Sequence, residues 1–464
     1  MHKKPVIAIF DIGKTNKKFF LFDEYYQVVH EQSKKFKEIT DEDGFPCDEL
    51  KGIERFVIDS VDEILKMDQY DLKAVNFSAY GASLVYIDEK GSPLTPLYNY
   101  LKPYPEALQS AFYRKYGGEE FFSMTTASPV LGSLNSGMQL FRMKYEKEAV
   151  FGAMKYALHL PQYLSFLVTE RPVSDITSIG CHTNLWDFSK GQYHYWLNTE
   201  HIGDKLAPVV PADTAFDITR AGRKLKVGIG LHDSSAALIP YLVNFSEPFA
   251  LLSTGTWCIT LNPFNEHALT LEELKADCLC YMSYSGKPVK ASRLFAGNEH
   301  EIQLGRIAEK FLVDPALVSA MKYDPLVEAS LKSRQDFKVI QKDSKVSLKT
   351  SVFSLRDLGK FTTYTEAYHQ LMIDLVELQV KSAELVIQDT SVRKLFVDGG
   401  FSQNDIFMKL LANAMPEVKL FAASLSQATA LGAAMAIHKD WNAHAVPANL
   451  VQLQYFPKGQ GRTA

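Results

Sequence analysis

Two short apolar runs separated by a polar turn open the chain. Residues 6–10 are continuously apolar, residues 19–22 are as well, and the polar segment 11–16 between them contains Gly13. An uninterrupted apolar run of this length is typical of a buried strand. Two such runs joined by a polar turn with a glycine predict a β-hairpin. The same layout recurs at residues 249–261, so we expect two similar domains that each begin with a hairpin.

Helical periodicity follows both hairpins. Apolar residues recur at helical spacing over 53–66, and again over 363–387, where Thr363 and Glu366 predict a capping box at the start of the helix. We expect further helices at 106–116, 139–151, around Phe407–Ala414 and at 428–438, and further strands at 394–398, 418–421 and, as a pair, at 74–78 and 84–88. Strands that alternate with helices in both halves indicate an α/β fold.

The size of the chain agrees with more than one domain. Its 464 residues exceed the roughly 100–200 residues of a typical domain. The boundary is predicted at 240–248, where Pro240 and Pro248 flank the approach to the second hairpin, which divides the chain into domains 1–242 and 243–464. Hydrophobic residues make up 46% and charged residues 22%, which excludes extensive disorder.

Composition also excludes several classes of protein. The formal net charge is −4 and no basic stripe is present, which argues against a nucleic-acid partner. No run of about 18 apolar residues exists and the first residues do not resemble a signal peptide. We therefore expect a cytoplasmic protein with no membrane contact. The sequence leaves open whether the protein forms a homodimer. The five cysteines include no C-x-x-C pair, and we interpret them as reduced structural thiols.

The first polar turn is a candidate phosphate-binding element. Gly13-Lys14-Thr15 looks like the end of a P-loop, but that motif needs a glycine where this chain has Ala8, and a helix rather than a strand afterwards. A strand–turn–strand can still hold phosphates through backbone amides and the Thr15 hydroxyl, while Asp11 can hold Mg²⁺. A plain polar turn would show the same residues.

Three further segments could contribute to a site. Gly228–Ser235 contains His232-Asp233 just before a predicted helix, so Asp233 could be an ordinary N-cap or could accept a proton from an alcohol. Ser253-Thr254-Gly255-Thr256 forms the turn of the second hairpin. A fourth segment, Asp398–Asn404, has Gly-Gly directly after a strand, which permits close approach of a flat ligand.

Taken together, these motifs resemble the FGGY family of carbohydrate kinases. D-x-G-x-T near the N-terminus, G-x-H-D in the middle, S-T-G-T-W after it, and D-G-G-F-S-x-N before L-G-A-A occur in the family order over about residues 5–440. The resemblance implies two RNase H-like domains of the actin and hexokinase type. Each is a mixed sheet flanked by helices, and ATP and sugar bind in the interdomain cleft, with the sugar in the N-terminal domain and the nucleotide in the C-terminal one.

The resemblance also implies roles for individual residues. Asp233 would be the catalytic base, and Asp11 with Asp233 would hold Mg²⁺. Phosphate and nucleotide contacts would come from Asp11, Gly13, Lys14, Thr15, Lys18, Ser253, Thr254, Gly255, Thr256, Gly399, Gly400 and Asn404. Gly81 and His232 would face the sugar beside Asp233.

The resemblance implies that the substrate is a small sugar, but it indicates the reaction more closely than the identity of that sugar. The segment Leu294–Glu301 looks like the Gly-Asn-Glu region of bacterial deoxyketohexose kinases, which favours L-rhamnulose or L-fuculose, with xylulose or another pentulose second. Residues 98–103 and 139–146 depart from the family pattern in the sugar-facing half. A sugar-independent actin-like ATPase and a non-catalytic sugar sensor are the alternatives.

Overall fold

The computed structural model describes residues 3–334, 351–425 and 427–458. The strands of the first half are β1 Lys4–Ile12, β2 Lys17–Asp23, β3 Val28–Lys34, β4 Ile39–Thr40, β5 Pro46–Cys47, β6 Tyr70–Ala79, β7 Leu84–Ile87, β8 Tyr156–His159, β9 Ser174–Asp175, β10 Trp186–Asp187, β11 Gln192–Tyr193, β12 Val209–Val210, β13 Ala215–Arg220, β14 Arg223–Gly228 and β15 Leu231–His232. Its helices are α1 Leu50–Lys66, α2 Glu106–Lys115, α3 Glu119–Thr125, α4 Ser136–Glu146, α5 Glu148–Ala153, α6 Leu160–Thr169, α7 Ile176–Ile179, α8 Trp196–Thr199 and α9 Asp233–Asn244.

The second half continues the alternation of strands and helices. Its strands are β16 Ala250–Thr254, β17 Cys258–Asn262, β18 Cys278–Met282, β19 Pro288–Leu294, β20 Lys394–Gly399, β21 Lys419–Ser424 and β22 Gln452–Phe456. Its helices are α10 Leu271–Lys275, α11 Ala296–Phe311, α12 Pro315–Ser319, α13 Pro325–Ser333, α14 Tyr364–Ile387, α15 Asp405–Ala414, α16 Ala428–Ala436 and α17 His438–Trp441.

Each half contains a mixed sheet of the same topology. In the first sheet, β1 pairs antiparallel with β2 and parallel with β6, and the strand order is β13-β14-β6-β1-β2-β3, with β15 also beside β6. In the second sheet, β16 likewise pairs antiparallel with β17 and parallel with β20, in the order β18-β19-β17-β16-β20-β21-β22. The recurrence of the hairpin layout therefore reflects a repeated sheet, as the sequence predicts.

Burial explains why the opening strand is apolar at every position. Val6, Ala8 and Phe10 pack into a core on one face of the sheet, whereas Ile7 and Ile9 pack into a core on the other face. Because successive side chains of a strand point to opposite faces, a strand covered on both sides needs an uninterrupted apolar run.

Two helices join the halves. Helix α9 contributes to a core shared with the first sheet and to another shared with the second sheet. Helix α16 follows β21 of the second sheet in sequence but packs against β1, β6 and α9, and Asn76 Nδ2 donates to the carbonyl of Ala433 over 2.8 Å. A Cβ added at Gly432 would lie 1.8 Å from the carbonyl oxygen of Ala236, so the two helices cross where only a glycine fits.

Several local predictions need correction. Strands β6 and β7 do not pair with each other: β6 lies in the first sheet, and β7 pairs with β8. Thr363 caps α14, but the Glu366 carboxylate accepts from the amide of Thr362 rather than that of Thr363, so the reciprocal capping box is incomplete. The predicted 139–151 helix is divided into α4 and α5, and Pro240 lies inside α9 rather than in a loop.

The cysteines agree with their interpretation as reduced structural thiols. All five cysteines are buried free thiols. No helix in the described parts of the chain combines the length and the hydropathy that crossing a bilayer requires.

Candidate active site

The carboxyl ends of parallel strands place the predicted residues of the first half together. Asp11 of β1 lies opposite Ser78 of β6, and His232 of β15 lies opposite Ala79, the last residue of β6. Asp233 follows His232 directly and begins α9. Ligands of open α/β sheets bind at this edge, so the sheet brings Asp11 and the His232-Asp233 pair to one place although they are far apart in sequence.

The electrostatics of Asp11 are those of a carboxylate beside another carboxylate. Burial and the negative charge of Asp233 raise the pKa of Asp11 to about 7, while Lys18 opposes this shift. Two carboxylates that repel each other in a partly dry site are stabilised by a cation between them. Oxygen donors of this kind suit Mg²⁺, so the donor set of Asp11 and Asp233 fits that ion.

Asp233 does not behave as an ordinary N-cap. Because it is the first residue of α9, its Oδ1 accepts from the amide of the adjacent Ser234 over 2.6 Å, and the cap position is His232, whose side chain caps nothing. His232 Nε2 lies 3.2 Å from Asp233 Oδ1. The Asp233 side chain keeps 35% of its surface exposed, so it can still meet a ligand.

Gly81 lies against the ring of His232. A Cβ added at Gly81 would come within 2.8 Å of His232 Cδ2. Burial lowers the pKa of His232, which keeps the imidazole neutral at pH 7. The rings of Tyr80 and Tyr100 are tilted against each other nearby with centroids 5.8 Å apart, and burial, together with the charge of Asp233, raises the pKa of Tyr100. An aromatic wall therefore stands beside Asp233.

The first turn has one lysine that faces the cleft and two that do not. Gly13 donates its amide to the carbonyl of Asn16 over 3.0 Å, and Thr15 at the tip is exposed. Lys18 Nζ lies 3.4 Å from Gln427 Oε1, at the start of α16. Lys14, in contrast, holds Asp48 at 2.6 Å, and Lys17 does so at 2.7 Å, so the Lys14 ammonium already has an anionic partner.

The second turn lines a cavity of about 430 Å³. Its walls come from the second half: Thr254, Gly255, Thr256, Gly297, His300, Glu301, Ser319, Gly400, Phe401, Gln403 and Asn404. The predicted residues Thr254, Gly255, Thr256, Gly400 and Asn404 thus share one cavity. Asn404 also caps α15 through its Oδ1 and donates to the Tyr368 hydroxyl over 2.8 Å.

Gly399 allows the second turn and the Gly-Gly segment to touch. Its φ is +89°, a conformation that side chains other than glycine rarely adopt, and a Cβ there would lie 1.9 Å from the carbonyl oxygen of Thr254. The Thr254 hydroxyl donates to the carbonyl of Asp398 over 2.6 Å and accepts from the amide of Phe401 over 3.0 Å. The lack of a side chain at Gly399 therefore lets these two segments lie in contact where they border the cavity.

A second cavity, of about 230 Å³, joins the two halves. Asp233 and Ser234 line it from the first half, Ser253 and Asp398 line it from the second, and Thr429 of α16 completes it. Both predicted residues Asp233 and Ser253 are therefore within reach of one ligand. The arrangement places carboxylates and hydroxyls from both halves around one cavity.

Asp398, His300 and Glu301 line these cavities, although the motifs assigned none of them a role. Asp398 lies next to the last residue of the buried strand β20 and accepts from the Tyr241 hydroxyl over 2.9 Å, and an aspartate near the end of a strand was the signal that could have indicated its role. His300 and Glu301 line the larger cavity, and their position next to Gly297 could have indicated this. Their pairing suggests a metalloprotease motif only superficially, since Leu304 stands where the second histidine would be.

Comparison with solved structures finds the same fold in sugar and polyol kinases. A carbohydrate kinase from Novosphingobium aromaticivorans has a TM-score of 0.78 and 22% identity, with 98% of this chain and 97% of that chain covered. Xylulose kinase from Lactobacillus acidophilus has a TM-score of 0.76, 16% identity and coverage of 98% and 94%. Plasmodium falciparum glycerol kinase with ADP has a TM-score of 0.73, 17% identity and coverage of 94% and 90%.

Comparison with models of known families identifies the family to which the sequence belongs. No curated protein gives a significant match to the chain. The N-terminal domain of the FGGY family of carbohydrate kinases matches residues 6–239, and C-terminal domains of FGGY carbohydrate kinases match residues 246–327 and 366–438. The chain therefore belongs to the FGGY family of carbohydrate kinases and is an ATP-dependent sugar kinase.

Proposed function

We propose that this kinase phosphorylates a small ketose, with a 6-deoxyketohexose such as L-rhamnulose or L-fuculose first and a pentulose such as xylulose second. The observation that carries the proposal is the aromatic wall of Tyr80 and Tyr100 beside Asp233. An apolar wall next to the acceptor hydroxyl favours a sugar with a methyl group. One methyl or methylene is worth only about 1–3 kcal/mol of discrimination, so pentuloses remain close competitors.

The Gly-Asn-Glu segment does not support this choice of sugar. Gly297 lines the larger cavity of the second half, and the amide of Asn298 donates to the carbonyl of Thr256 over 3.2 Å. The segment thus contacts the second turn rather than the aromatic wall. We assign it to the nucleotide, and the proposed sugar depends on the first half alone.

Phosphoryl transfer needs alignment and charge neutralisation more than covalent chemistry from the protein. We assign the nucleotide to the larger cavity, with Gly400 and Asn404 beside adenosine. The Ser253–Thr256 turn and the Asp11–Lys18 hairpin would hold the phosphates from opposite sides. Mg²⁺ held by Asp11 and Asp233 would neutralise phosphate oxygens. Asp398 lines the smaller cavity together with Asp233 and could contribute a third carboxylate to the same ion.

We assign Asp233 as the base for the acceptor hydroxyl. An aspartate is weakly basic, so it orients the hydroxyl and takes its proton late in the transfer. His232 is buried and lies directly beside this carboxylate, with its Nε2 3.2 Å from Asp233 Oδ1. Gly81 keeps the ring of His232 in place and leaves room for the sugar.

A coupled assay of ADP release tests the substrate. Ketopentoses, deoxyketohexoses, polyols and aldoses are each supplied with ATP and Mg²⁺, and we expect the highest kcat/KM with a deoxyketohexose. Tyr100→Ala should reduce the preference for L-rhamnulose over its analogue without the methyl group, whereas Tyr100→Phe should keep it. Higher kcat/KM with glycerol or an aldohexose than with every ketose would contradict the proposal.

A further inference from the structure

Three soft metal ligands meet beside the proposed base. One ligand atom each of Cys181, His182 and His232 lies within 4.8 Å of the other two. All three residues are buried, with exposed fractions of 0%, 9% and 4%. Cys181 Sγ is 3.1 Å from His232 Nε2, and that nitrogen is 3.2 Å from Asp233 Oδ1. A buried thiol and two buried imidazoles therefore lie next to one another, with the partly exposed Asp233 carboxylate beside His232.

Hydrogen bonds prepare both imidazoles for a metal. His182 Nδ1 lies 3.3 Å from the carbonyl oxygen of Leu134, and because a carbonyl only accepts, Nδ1 carries the proton and Nε2 keeps its lone pair. Ser235 donates its hydroxyl to the carbonyl of Met282 over 2.8 Å, so its oxygen is free to accept from His232 Nδ1 at 3.5 Å. Metal-binding histidines are held in this way by a partner of the other nitrogen.

We propose that Cys181, His182 and His232 bind a borderline divalent metal ion, represented by Zn²⁺, with Asp233 as the fourth ligand. Thiolate and imidazole suit Zn²⁺, whereas Mg²⁺ prefers oxygen ligands. When the metal–sulfur bond forms, the Cys181 thiol releases its proton to solvent. The site is thus separate in chemistry from the Mg²⁺ position, although Asp233 belongs to both.

Bound Zn²⁺ would inhibit the enzyme. It would occupy the Asp233 carboxylate and the His232 nitrogen, which the acceptor sugar needs; this consequence depends on the function proposed above. Tyr281 of the second sheet packs over both histidine rings, with centroids 6.1 Å from His182 and 5.8 Å from His232. The ion therefore reaches its ligands when the two halves separate.

Metal binding is tested directly with Co²⁺ as a spectroscopic probe and Zn²⁺ by calorimetry, both in excess Mg²⁺. We expect one ion per chain and a thiolate-to-cobalt charge-transfer band in the full-length protein. Cys181→Ser should weaken binding by roughly tenfold or more and remove the band. Cys278→Ser, at an equally buried cysteine in β18, is the matched control and should change neither. Absence of the band, or equal binding by both variants, would overturn the proposal.

Inhibition is measured separately in the ADP-release assay. Stoichiometric Zn²⁺ should lower turnover of the wild type and the Cys278→Ser variant, but not of Cys181→Ser, and a chelator should restore it. Equal inhibition of all three proteins would overturn the inhibitory role. A zinc-free protein that phosphorylates no sugar would contradict the proposed function, whereas the cobalt band would still decide the metal site.

Discussion

Asp233 carries the reaction in our proposal as the base for the acceptor hydroxyl. We predict that Asp233→Asn lowers turnover by roughly 100-fold or more, since general-base contributions are about 10²–10⁴-fold. Nucleotide affinity, measured by calorimetry without sugar, should change little. Asp217→Asn, at an exposed carboxylate paired with Lys226, is the control and should leave turnover unchanged. More than a tenth of wild-type turnover in Asp233→Asn would favour a purely structural aspartate.

We expect the buried carboxyl of Asp175 to make the free energy of unfolding depend on pH. Burial raises its pKa to about 7, and its Oδ2 accepts no hydrogen bond from any described residue, while Oδ1 accepts from Thr177 and Ser178. An acid whose folded-state pKa is raised holds its proton more tightly when folded. As the pH rises from about 4 to about 7, the carboxyl ionises in the unfolded chain but stays protonated in the folded protein. The free energy of unfolding therefore falls progressively over this range.

Asp175→Asn removes that ionisation and keeps the Oδ1 acceptor. We expect the variant to exceed the wild type in free energy of unfolding by roughly 2–4 kcal/mol at pH 8, and by much less at pH 4 to 5. Urea unfolding at both pH values measures this difference. The Asp217→Asn control should show no such change with pH, and a difference for Asp175→Asn that is the same at both pH values would refute the prediction.

At the scale of elements, the crossing of α9 and α16 depends on one missing side chain. Gly432→Ala would place a Cβ 1.8 Å from the carbonyl oxygen of Ala236, so the helices must move apart. We expect a loss of about 1–3 kcal/mol or more in the free energy of unfolding. Gly305→Ala in α11, where no atom lies within 4 Å of the added Cβ, should instead stabilise by about 0.5–1 kcal/mol. An unchanged free energy of unfolding in Gly432→Ala would mean that the two helices can move apart without loss of stability.

For the whole molecule, we expect the two halves to move together when sugar binds, so that water is excluded from the γ-phosphate. The sequence suggested a hinge at 240–248, but α9 is helical through Asn244, which leaves only residues 245–248 of that segment outside regular structure. The chain crosses between the halves again before α16 and after α17, since both helices lie on the first sheet and β22 returns to the second. A hinge therefore has to involve all three connections.

Domain closure is expected to be visible in solution. With sugar and a non-hydrolysable ATP analogue together, small-angle scattering should give a smaller radius of gyration than without ligands, because closure removes water from the γ-phosphate. Each ligand alone should give a smaller decrease. An identical scattering profile in all four conditions would rule out closure and leave the kinase assignment intact.

Most elements and the motifs could be predicted from the amino-acid sequence, because both depend on local patterns. Continuous apolar runs predicted β1 and β16, helical spacing predicted α1 and α14, and the motif order predicted the family. Glycines at turns and aspartates at strand ends are local as well, so Asp11, Asp233 and Gly399 could be selected from the order of residues alone.

Which of these residues lie next to one another could not be predicted in this way, because it depends on the fold. Pairing of β7 with β8, the contact of α16 with the first sheet and the joint cavity of Asp233 and Asp398 all link residues far apart in sequence. Lys14 looked free to bind phosphate until the fold placed Asp48 against it. The cysteines have no metal-binding spacing along the chain, yet Cys181 lies beside His232 because β15 ends where the loop after α7 passes. Such contacts depend on long-range packing, which no local pattern records.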